Sequence, residues 1–179
     1  MSETIHYGLK NLVDIGNVGI GTTTPVTALD VVGSIRQSTL PVLYVYKAQA
    51  PGDQTITVAT VIVLGGTNYN TQWTLTSTSR FTLTGPSGYY LIRARLQSSS
   101  TFSYLGASIR VNGTERAVSY NFAPATTRYT TNHTEVVWLL NTNDYIEVFG
   151  IPSASLIIQS STAGDARTAL QAVYLSGTT

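Results

Sequence analysis

The chain has 179 residues, of which 42% are hydrophobic and only 11% are charged, and its formal net charge is +1. This charged fraction is well below the roughly 25% usual for soluble domains, so the polar surface is built mainly from Ser, Thr, Asn and Gln. The absence of cysteine excludes disulfides, thiolate nucleophiles and Cys-ligated metals, and the scattered Lys and Arg residues exclude a nucleic-acid-binding surface.

Residues 1–15 are predicted to be an anchor segment that docks on another protein. They carry apolar side chains but too few residues for a core of their own. Glu3 and His6 interrupt the first ten residues, so we expect no ordinary signal peptide there. The candidate anchor residues are Ile5, Tyr7, Leu9, Leu12 and Val13.

Residues 16–38 contain two very short apolar strand segments on either side of a Thr-Pro turn. An isolated two-stranded ribbon is at best marginally stable in water. We therefore expect copies of the same chain to cover it. The candidate contact residues of this module are Val18, Ile20, Leu29, Val31 and Ile35.

The same segment carries a specific sequence pattern, VGIGTTTP at residues 18–25 followed by LDVVGSIR at residues 29–36. It resembles a module that recurs in bacteriophage tail fibres and related bacterial surface fibres. In that module three chains wrap together. The resemblance implies an intertwined homotrimeric β module and a fibre of a virus particle.

Beyond residue 38 the sequence alternates apolar and polar residues in short runs, which predicts strand after strand and no helix. Gly65–Asn68 is predicted to be a turn, and Asn112-Gly113 is the strongest hairpin signal in the chain. About eleven strands at this spacing favour a β-sandwich or jelly roll. The predicted strands are Val42–Lys47, Thr55–Leu64, Thr71–Thr76, Arg80–Thr84, Tyr89–Leu96, Tyr104–Val111, Glu115–Tyr120, Glu135–Leu140, Asp144–Phe149, Ser155–Gln159 and Thr168–Leu175.

Three runs in this region form a second pattern: FTLTGPSGYYL at 81–91, ASIRVNG at 107–113 and VWLLNTNDYIEV at 137–148. The pattern resembles the globular heads of the complement first component and the tumour necrosis factor superfamily. Where that family has Gly-Asp before a strand, this chain has Asn143-Asp144. The resemblance implies a ten-stranded jelly roll whose three copies pack about a threefold axis.

Candidate catalytic and metal-binding groups are few, and we expect neither an enzyme nor a cofactor. The two carboxylates Asp144 and Glu147 are three residues apart on a predicted strand, so they point to opposite faces and cannot act as an acid and base pair. His133 and Glu135 point to one side, but two ligands do not make a metal site. A third ligand from a neighbouring copy is the alternative; otherwise the pair is a solvated strand edge.

The segment Ala117–Thr134 places planar side chains among Ser, Thr, Asn and Pro, and beyond the predicted strand Glu115–Tyr120 we expect it to form a long loop. Such a mixture suits carbohydrate recognition, because Tyr combines apolar area with a polar tip and binding residues concentrate on loops. The alternative is that these aromatics pack between subunits, as predicted for Trp73 and Trp138 if those are not core residues. The candidate receptor-binding residues are Tyr120, Phe122, Arg128, Tyr129 and His133.

The sequence therefore predicts a non-enzymatic, all-β, homotrimeric bacteriophage virion fibre protein. It would comprise an anchor at residues 1–15, a short intertwined trimeric β module at 16–38 and a jelly-roll β-sandwich head at 39–179. The anchor would bind another virion protein of capsid or tail, and the head would attach to the host surface, with glycan as the expected ligand and three equivalent sites adding avidity.

Two alternatives remain open. One is a capsid decoration, cement or head-fibre protein that stabilises the shell, and the other is a bacterial lectin-like binding module. No partnership with nucleic acid is expected. Membrane insertion is not expected either, since the longest apolar run, near Val58–Leu64, is far shorter than the roughly 20 residues that span a bilayer.

Overall fold

The computed structural model of the chain describes residues 18–20, 24, 29–31, 40–50, 52–77, 79–99, 103–122, 129–161 and 167–177. The chain divides into two compact units, residues 1–38 and residues 39–179. The described residues of both units contain strands and no helix.

The described residues of the first unit include two strands, β1 (Val18–Ile20) and β2 (Leu29–Val31). They pair in parallel, with Val18 opposite Leu29 and Ile20 opposite Val31. The two predicted apolar segments are thus strands, joined to each other as a parallel pair rather than as an antiparallel hairpin. Ile35 and the predicted anchor residues Ile5, Tyr7, Leu9, Leu12 and Val13 lie outside the described residues.

The second unit contains thirteen described strands, all joined by antiparallel pairing. They are β3 (Val42–Tyr46), β4 (Gln54–Ile56), β5 (Thr60–Val61), β6 (Gly66–Thr71), β7 (Trp73–Ser77), β8 (Arg80–Leu83), β9 (Gly88–Ser98), β10 (Tyr104–Val111), β11 (Thr114–Phe122), β12 (Thr130–Leu140), β13 (Tyr145–Pro152), β14 (Leu156–Ile158) and β15 (Ala169–Ser176).

These strands form two sheets. The six-stranded sheet has the order β11-β10-β13-β8-β7, and β5 adds to β13. The seven-stranded sheet has the order β4-β14-β9-β15-β3-β6, and β12 adds to β9 along its whole length, from Thr130 opposite Ser98 to Leu140 opposite Gly88. The long strand β9 is therefore the centre of the seven-stranded sheet.

The core lies between the two sheets and is built by strand alternation. Along β9 the side chains of Tyr90, Ile92, Ala94 and Leu96 are buried, and the alternate side chains of Leu91, Arg93 and Arg95 point outward. The β10 side chains Leu105 and Ile109 face them from the six-stranded sheet within the same hydrophobic cluster. Burying side chains of this size stabilises the fold by about 1.5–3 kcal/mol each.

A buried amide joins the two sheets at one side of the core. Asn132 of β12 donates from Nδ2 to the carbonyl oxygens of Leu105 at 2.8 Å and Ser119 at 2.9 Å, and its Oδ1 accepts from the Ser119 hydroxyl at 3.0 Å. Because every polar atom of this amide is paired, its burial costs little. It fixes β12 against β10 and β11.

The predicted strand Thr55–Leu64 is wrong as a single element, because the chain crosses between sheets there. β4 pairs with β14 in the seven-stranded sheet, whereas β5 pairs with β13 in the six-stranded sheet. Residues 57–59 form a bend between them, and Val58 is 67% exposed at this bend. Strands that change sheets do so through such bends.

The predicted turn Gly65–Asn68 and strand Thr71–Thr76 are also corrected. Gly66 begins β6 and lies directly beneath the Tyr46 ring, which would overlap any side chain at that position. Gln72 adopts a left-handed conformation with φ of 61°, so it ends β6 and the chain enters β7 of the other sheet.

The predicted Asn112-Gly113 hairpin is confirmed. Both residues have positive φ, 51° and 76°, as a type I′ turn between β10 and β11 requires. Asn112 also donates to Asp144 Oδ1 at 2.7 Å. Asn143 has φ of 75°, which explains why Asn can stand where the resembling family has Gly, since Asn tolerates the left-handed region.

Candidate interaction surfaces

The segment Ala117–Thr134 is strand through most of its described part, where the sequence pattern predicts a long loop after Tyr120. β11 continues to Phe122 and β12 begins at Thr130, and Arg128 lies outside the described residues. Tyr120 and Phe122 lie on the outward face of the six-stranded sheet. His133 lies on the outward face of the seven-stranded sheet, on the other side of the sandwich.

The remaining predicted residue, Tyr129, lies just before β12 and is 57% exposed. It lines a shallow groove with Gln97, Gln159 and Arg167. The structure therefore brings Tyr120 and Phe122 together and leaves Tyr129 and His133 apart from them.

Tyr120 and Phe122 form an aromatic platform together with Tyr104, which the sequence pattern does not mark as a binding residue. The Tyr104 ring centroid lies 5.5 Å from that of Tyr120 in an edge-on contact and 5.8 Å from that of Phe122. Tyr120 is 49% exposed and Phe122 is 74% exposed. Three rings held against one another present a preorganised apolar surface with polar tips.

The platform is seated on a glycine. The Tyr120 ring lies over Gly106, where an added Cβ would come 2.9 Å from Tyr120 Cε1 and 2.8 Å from Ile151 Cβ. A ring that covers a glycine of the neighbouring strand in this way compensates for the missing side chain. The backbone of β10 therefore sets the position of Tyr120.

The rest of this outward face has its charges paired. Arg80 Nη2 lies 3.2 Å from Glu147 Oε1, and the same guanidinium lies 3.9 Å from the Tyr145 ring centroid. Arg110 lies 3.7 Å from the Phe149 ring centroid. Asp144 is held by Asn112, so the carboxylates of the predicted opposite-face pair, Asp144 and Glu147, both serve structural contacts.

The outward face of the seven-stranded sheet is apolar at the end where β9 begins. In β9, β12, β15 and β3, the strand register places Val137, Leu91, Val173 and Val42 in one row across the sheet. A second row pairs Tyr89 with Leu139. We call these six residues the apolar rows. Val137 is 53% exposed, Tyr89 44% and Val173 41%.

Further along the same face the rows become polar. Glu135, Arg93, Gln171 and Tyr44 lie in one row, and His133 and Arg95 lie opposite each other in the next. A groove of about 210 Å³ runs across them, which we call the arginine groove. It is lined by Tyr44, Arg93, Ala94, Arg95, His133, Ala169 and Gln171.

The two arginines of this groove differ in their partners. Arg93 Nε donates to Glu135 Oε2 at 2.8 Å, in a pair that is exposed on both sides. Arg95 Nε is buried and has no hydrogen-bond acceptor. The pKa of His133 is lowered, mainly because the imidazole is partly buried and secondly because the charge of Arg95 is near. The net charge of the groove therefore comes from Arg95.

Metal-ligating groups do not gather in the described part of the chain, where no cluster holds three or more His, Asp or Glu side chains. Within the same residues no helix is long and apolar enough to cross a membrane.

The two tryptophans pack within the sandwich. Trp73 is 5% exposed and belongs to the core. Trp138 packs against the core, and the Arg116 guanidinium lies 4.3 Å from the centroid of the Trp138 ring.

In sequence, the chain matches no protein-family description and no curated protein. In structure, it is similar to Eiger TNF from S. frugiperda, with a TM-score of 0.65 and 9% identity over 79% of this chain and 96% of that chain. It is also similar to murine APRIL crystallised at pH 5.0, with a TM-score of 0.57 and 17% identity over 76% of this chain and 99% of that chain. These identities are low, so the similarity concerns the fold. The predicted all-β jelly-roll head of the tumour necrosis factor type is confirmed.

Proposed function

We propose that this chain is a non-enzymatic structural protein of a bacteriophage particle, a homotrimeric virion fibre whose head attaches to the host surface. Residues 1–15 bind another virion protein, and residues 16–38 form the intertwined module. The resemblance of residues 18–36 to the fibre module supports the phage assignment. The observation that carries the proposal is the set of apolar rows on the seven-stranded sheet.

The apolar rows are exposed to solvent in a single chain, and burial against another surface would stabilise them. Tyr89, Val137 and Val173 are each more than two-fifths exposed and adjacent across three neighbouring strands, so they form one continuous patch. Contiguous apolar surface of this kind marks an interaction site on a soluble protein. Closed symmetric assembly of identical chains is the commonest way to cover it. Three copies agree with the expectation from the fibre-module and tumour necrosis factor resemblances.

Host attachment is assigned to the aromatic platform on the opposite face. Phe122 and Tyr120 remain exposed while Tyr104 holds them in place, so a sugar ring could stack on them with little loss of conformational entropy. Because three copies of the head belong to one fibre, weak single contacts add through avidity.

Assembly is tested by measuring the mass of the full chain in solution by multi-angle light scattering across a range of concentrations. The proposal expects three times the chain mass of 19.2 kDa. A monomer or dimer mass at every concentration would contradict the trimer.

The place on the particle is tested by electron microscopy of purified virions labelled with an antibody to the head. Label on the tail supports host attachment. Label on the shell replaces the fibre with the capsid decoration role, and absence of label from intact particles contradicts a virion role altogether.

Host attachment is tested by the binding of fluorescent full-length protein to host cells and to their purified surface polysaccharide. Phe122→Ala should weaken binding at least about tenfold once avidity multiplies the loss at each site. Tyr69→Ala is the matched control, because Tyr69 is 68% exposed on β6 of the other sheet. Equal binding by both variants would exclude the aromatic platform as the contact.

A further inference from the structure

Arg95 is the one arginine of the described strands whose guanidinium lies neither beside a carboxylate nor on an aromatic ring. Its Nε is buried without an acceptor. The Arg110 Nε is also unpaired, but that guanidinium lies on the Phe149 ring. A partly buried cation without a partner is costly, and an anion relieves that cost.

We propose that the arginine groove is a binding site for an oxyanion, either the carboxylate of an acidic sugar or a free sulfate or phosphate. The site is built by a single chain, so it does not depend on the trimer or on the aromatic platform. Its central ligand-binding group is the guanidinium of Arg95.

Charge in the groove favours an anion. Arg93 and Arg95 contribute two positive charges, and the only carboxylate beside them in the described residues, Glu135, is bound to Arg93. His133 stands opposite Arg95 and its lowered pKa keeps it neutral near pH 7. One positive charge is therefore left uncompensated.

Shape and chemistry agree with this charge. The groove, about 210 Å³, is large enough for a tetrahedral oxyanion or for the carboxylate end of a monosaccharide. The planar guanidinium fork matches both, because it donates two parallel hydrogen bonds to carboxylate or phosphate oxygens. The Tyr44 hydroxyl and Gln171 amide, which also line the groove, supply neutral donors. A wider depression of about 490 Å³, lined by Arg93, His133 and Glu135, adjoins it and leaves room for the rest of a sugar.

The test is isothermal titration calorimetry of the full chain with sodium sulfate, sodium phosphate and sodium glucuronate, in chloride buffer of matched ionic strength. At least one of these anions should bind saturably. Arg95→Gln should weaken that binding by roughly tenfold or more, because it removes a charge-assisted hydrogen-bond donor. Arg116→Gln, which removes a charge from the other sheet, should bind like the unchanged protein.

The nature of the anion follows from a second comparison. Binding of glucuronate but not of its methyl ester identifies the carboxylate of an acidic glycan, and binding of sulfate or phosphate alone identifies a free oxyanion. Either result supports the site. Absence of saturable binding for all three anions, or equal binding by Arg95→Gln, overturns it.

A further variant covers the case in which Arg95→Gln does not fold. Arg95→Lys keeps the charge but loses the planar fork, and it should bind the anion several-fold more weakly than the unchanged protein. Unchanged affinity in a folded Arg95→Lys protein also counts against the guanidinium as the ligand-binding group.

Discussion

The two outward faces of the sandwich treat their charged residues differently. On the outward face of the six-stranded sheet Arg80 lies on the Tyr145 ring and Arg110 on the Phe149 ring. The third described arginine of this sheet, Arg116, covers the Trp138 ring of the neighbouring sheet. On the seven-stranded sheet Arg93 has only an exposed carboxylate partner, and Arg95 has neither carboxylate nor ring among the described residues.

This difference indicates which outward face has its charged side chains paired within one chain and which has groups left to contact another molecule. The six-stranded sheet pairs its own cations and covers its glycine at Gly106, and it presents the exposed Tyr120 and Phe122 rings of the aromatic platform to a ligand. The seven-stranded sheet leaves apolar rows and an uncompensated charge at its surface. Burying the apolar rows against another surface is favourable, and so is a hydrogen bond from the uncompensated guanidinium to an anion. We therefore expect assembly and anion binding on this sheet.

The largest effect is expected from charges placed in the apolar rows. The double variant Val137→Glu, Val173→Glu should weaken the assembly, because burying unpaired carboxylates in an apolar contact costs several kcal/mol per site. With only the proposed module at residues 16–38 left to join the copies, the mass from light scattering should fall toward that of one chain on dilution. Circular dichroism should still show the unchanged strand content, since both side chains point outward.

The control for that experiment lies on the other face. Val118 is 39% exposed on β11, close to the 41% of Val173, but it belongs to the six-stranded sheet. Val118→Glu should leave the mass unchanged. If it dissociates the protein while the double variant does not, the assignment of the two faces is reversed.

The next largest effect is expected beneath the aromatic platform. Gly106→Ala inserts a methyl group that meets Ile151 Cβ at 2.8 Å and Tyr120 Cε1 at 2.9 Å. Overpacking of this kind lowers the free energy of unfolding by about 1–3 kcal/mol. Chemical denaturation measures the change.

A double variant separates the two contacts of that methyl group. In the Tyr120→Ala background the ring is gone, so Gly106→Ala should lower the free energy of unfolding by less than it does in the unchanged protein. An equal cost in both backgrounds would mean that Ile151 alone determines it, and the ring would not be held by the glycine.

Much of the fold was predictable because strand alternation and turn chemistry are local. The strand Tyr104–Val111 and the Asn112-Gly113 turn are found where the sequence predicts them. The crossings between sheets were not predictable. The bend at residues 57–59 and the left-handed Gln72 have no Gly or Pro to mark them, so tertiary packing decides where each strand ends.

The candidate surfaces were predictable only in part, for a reason of register. Counting back from the Asn112-Gly113 turn places Tyr104 opposite Asn121, but a bulge between Ile109 and Arg110 shifts it opposite Phe122. That bulge puts Tyr104 on the face of Tyr120 and Phe122. The arginine groove was missed because Arg93 and Arg95 meet His133 and Gln171 only through pairing with distant strands.

A smaller change in stability should distinguish the two ion pairs, Arg80–Glu147 and Arg93–Glu135. Glu147 is 8% exposed beside Arg80, whereas both members of the Arg93–Glu135 pair are mostly exposed. Glu147→Gln should lower the free energy of unfolding by about 1–3 kcal/mol, since it takes the charged acceptor from a hydrogen-bonded pair. Glu135→Gln should lower it by about 0.2–1 kcal/mol at most. Denaturation of the two variants side by side measures this ratio, and equal losses would contradict the difference in burial.

The smallest effect is a dependence of stability on pH that comes from the arginine groove. Burial and the charge of Arg95 lower the pKa of His133 below its ordinary value of 6.5, so its neutral form is favoured in the folded chain. Its contribution is fully present above the unfolded pKa and is lost as the pH falls through about 6.5 toward the lowered folded pKa.

Denaturation midpoints measured between about pH 8 and pH 5 should therefore fall less steeply for His133→Gln than for the unchanged protein. Tyr44 faces the same groove, and the charges of Arg95, Arg93 and Glu135 there modulate this titration. Saturating sulfate should reduce the acid-induced loss, because an anion beside the imidazole favours its protonated form. If sulfate reduced that loss equally in His133→Gln, its effect would come from the solution as a whole and not from the arginine groove.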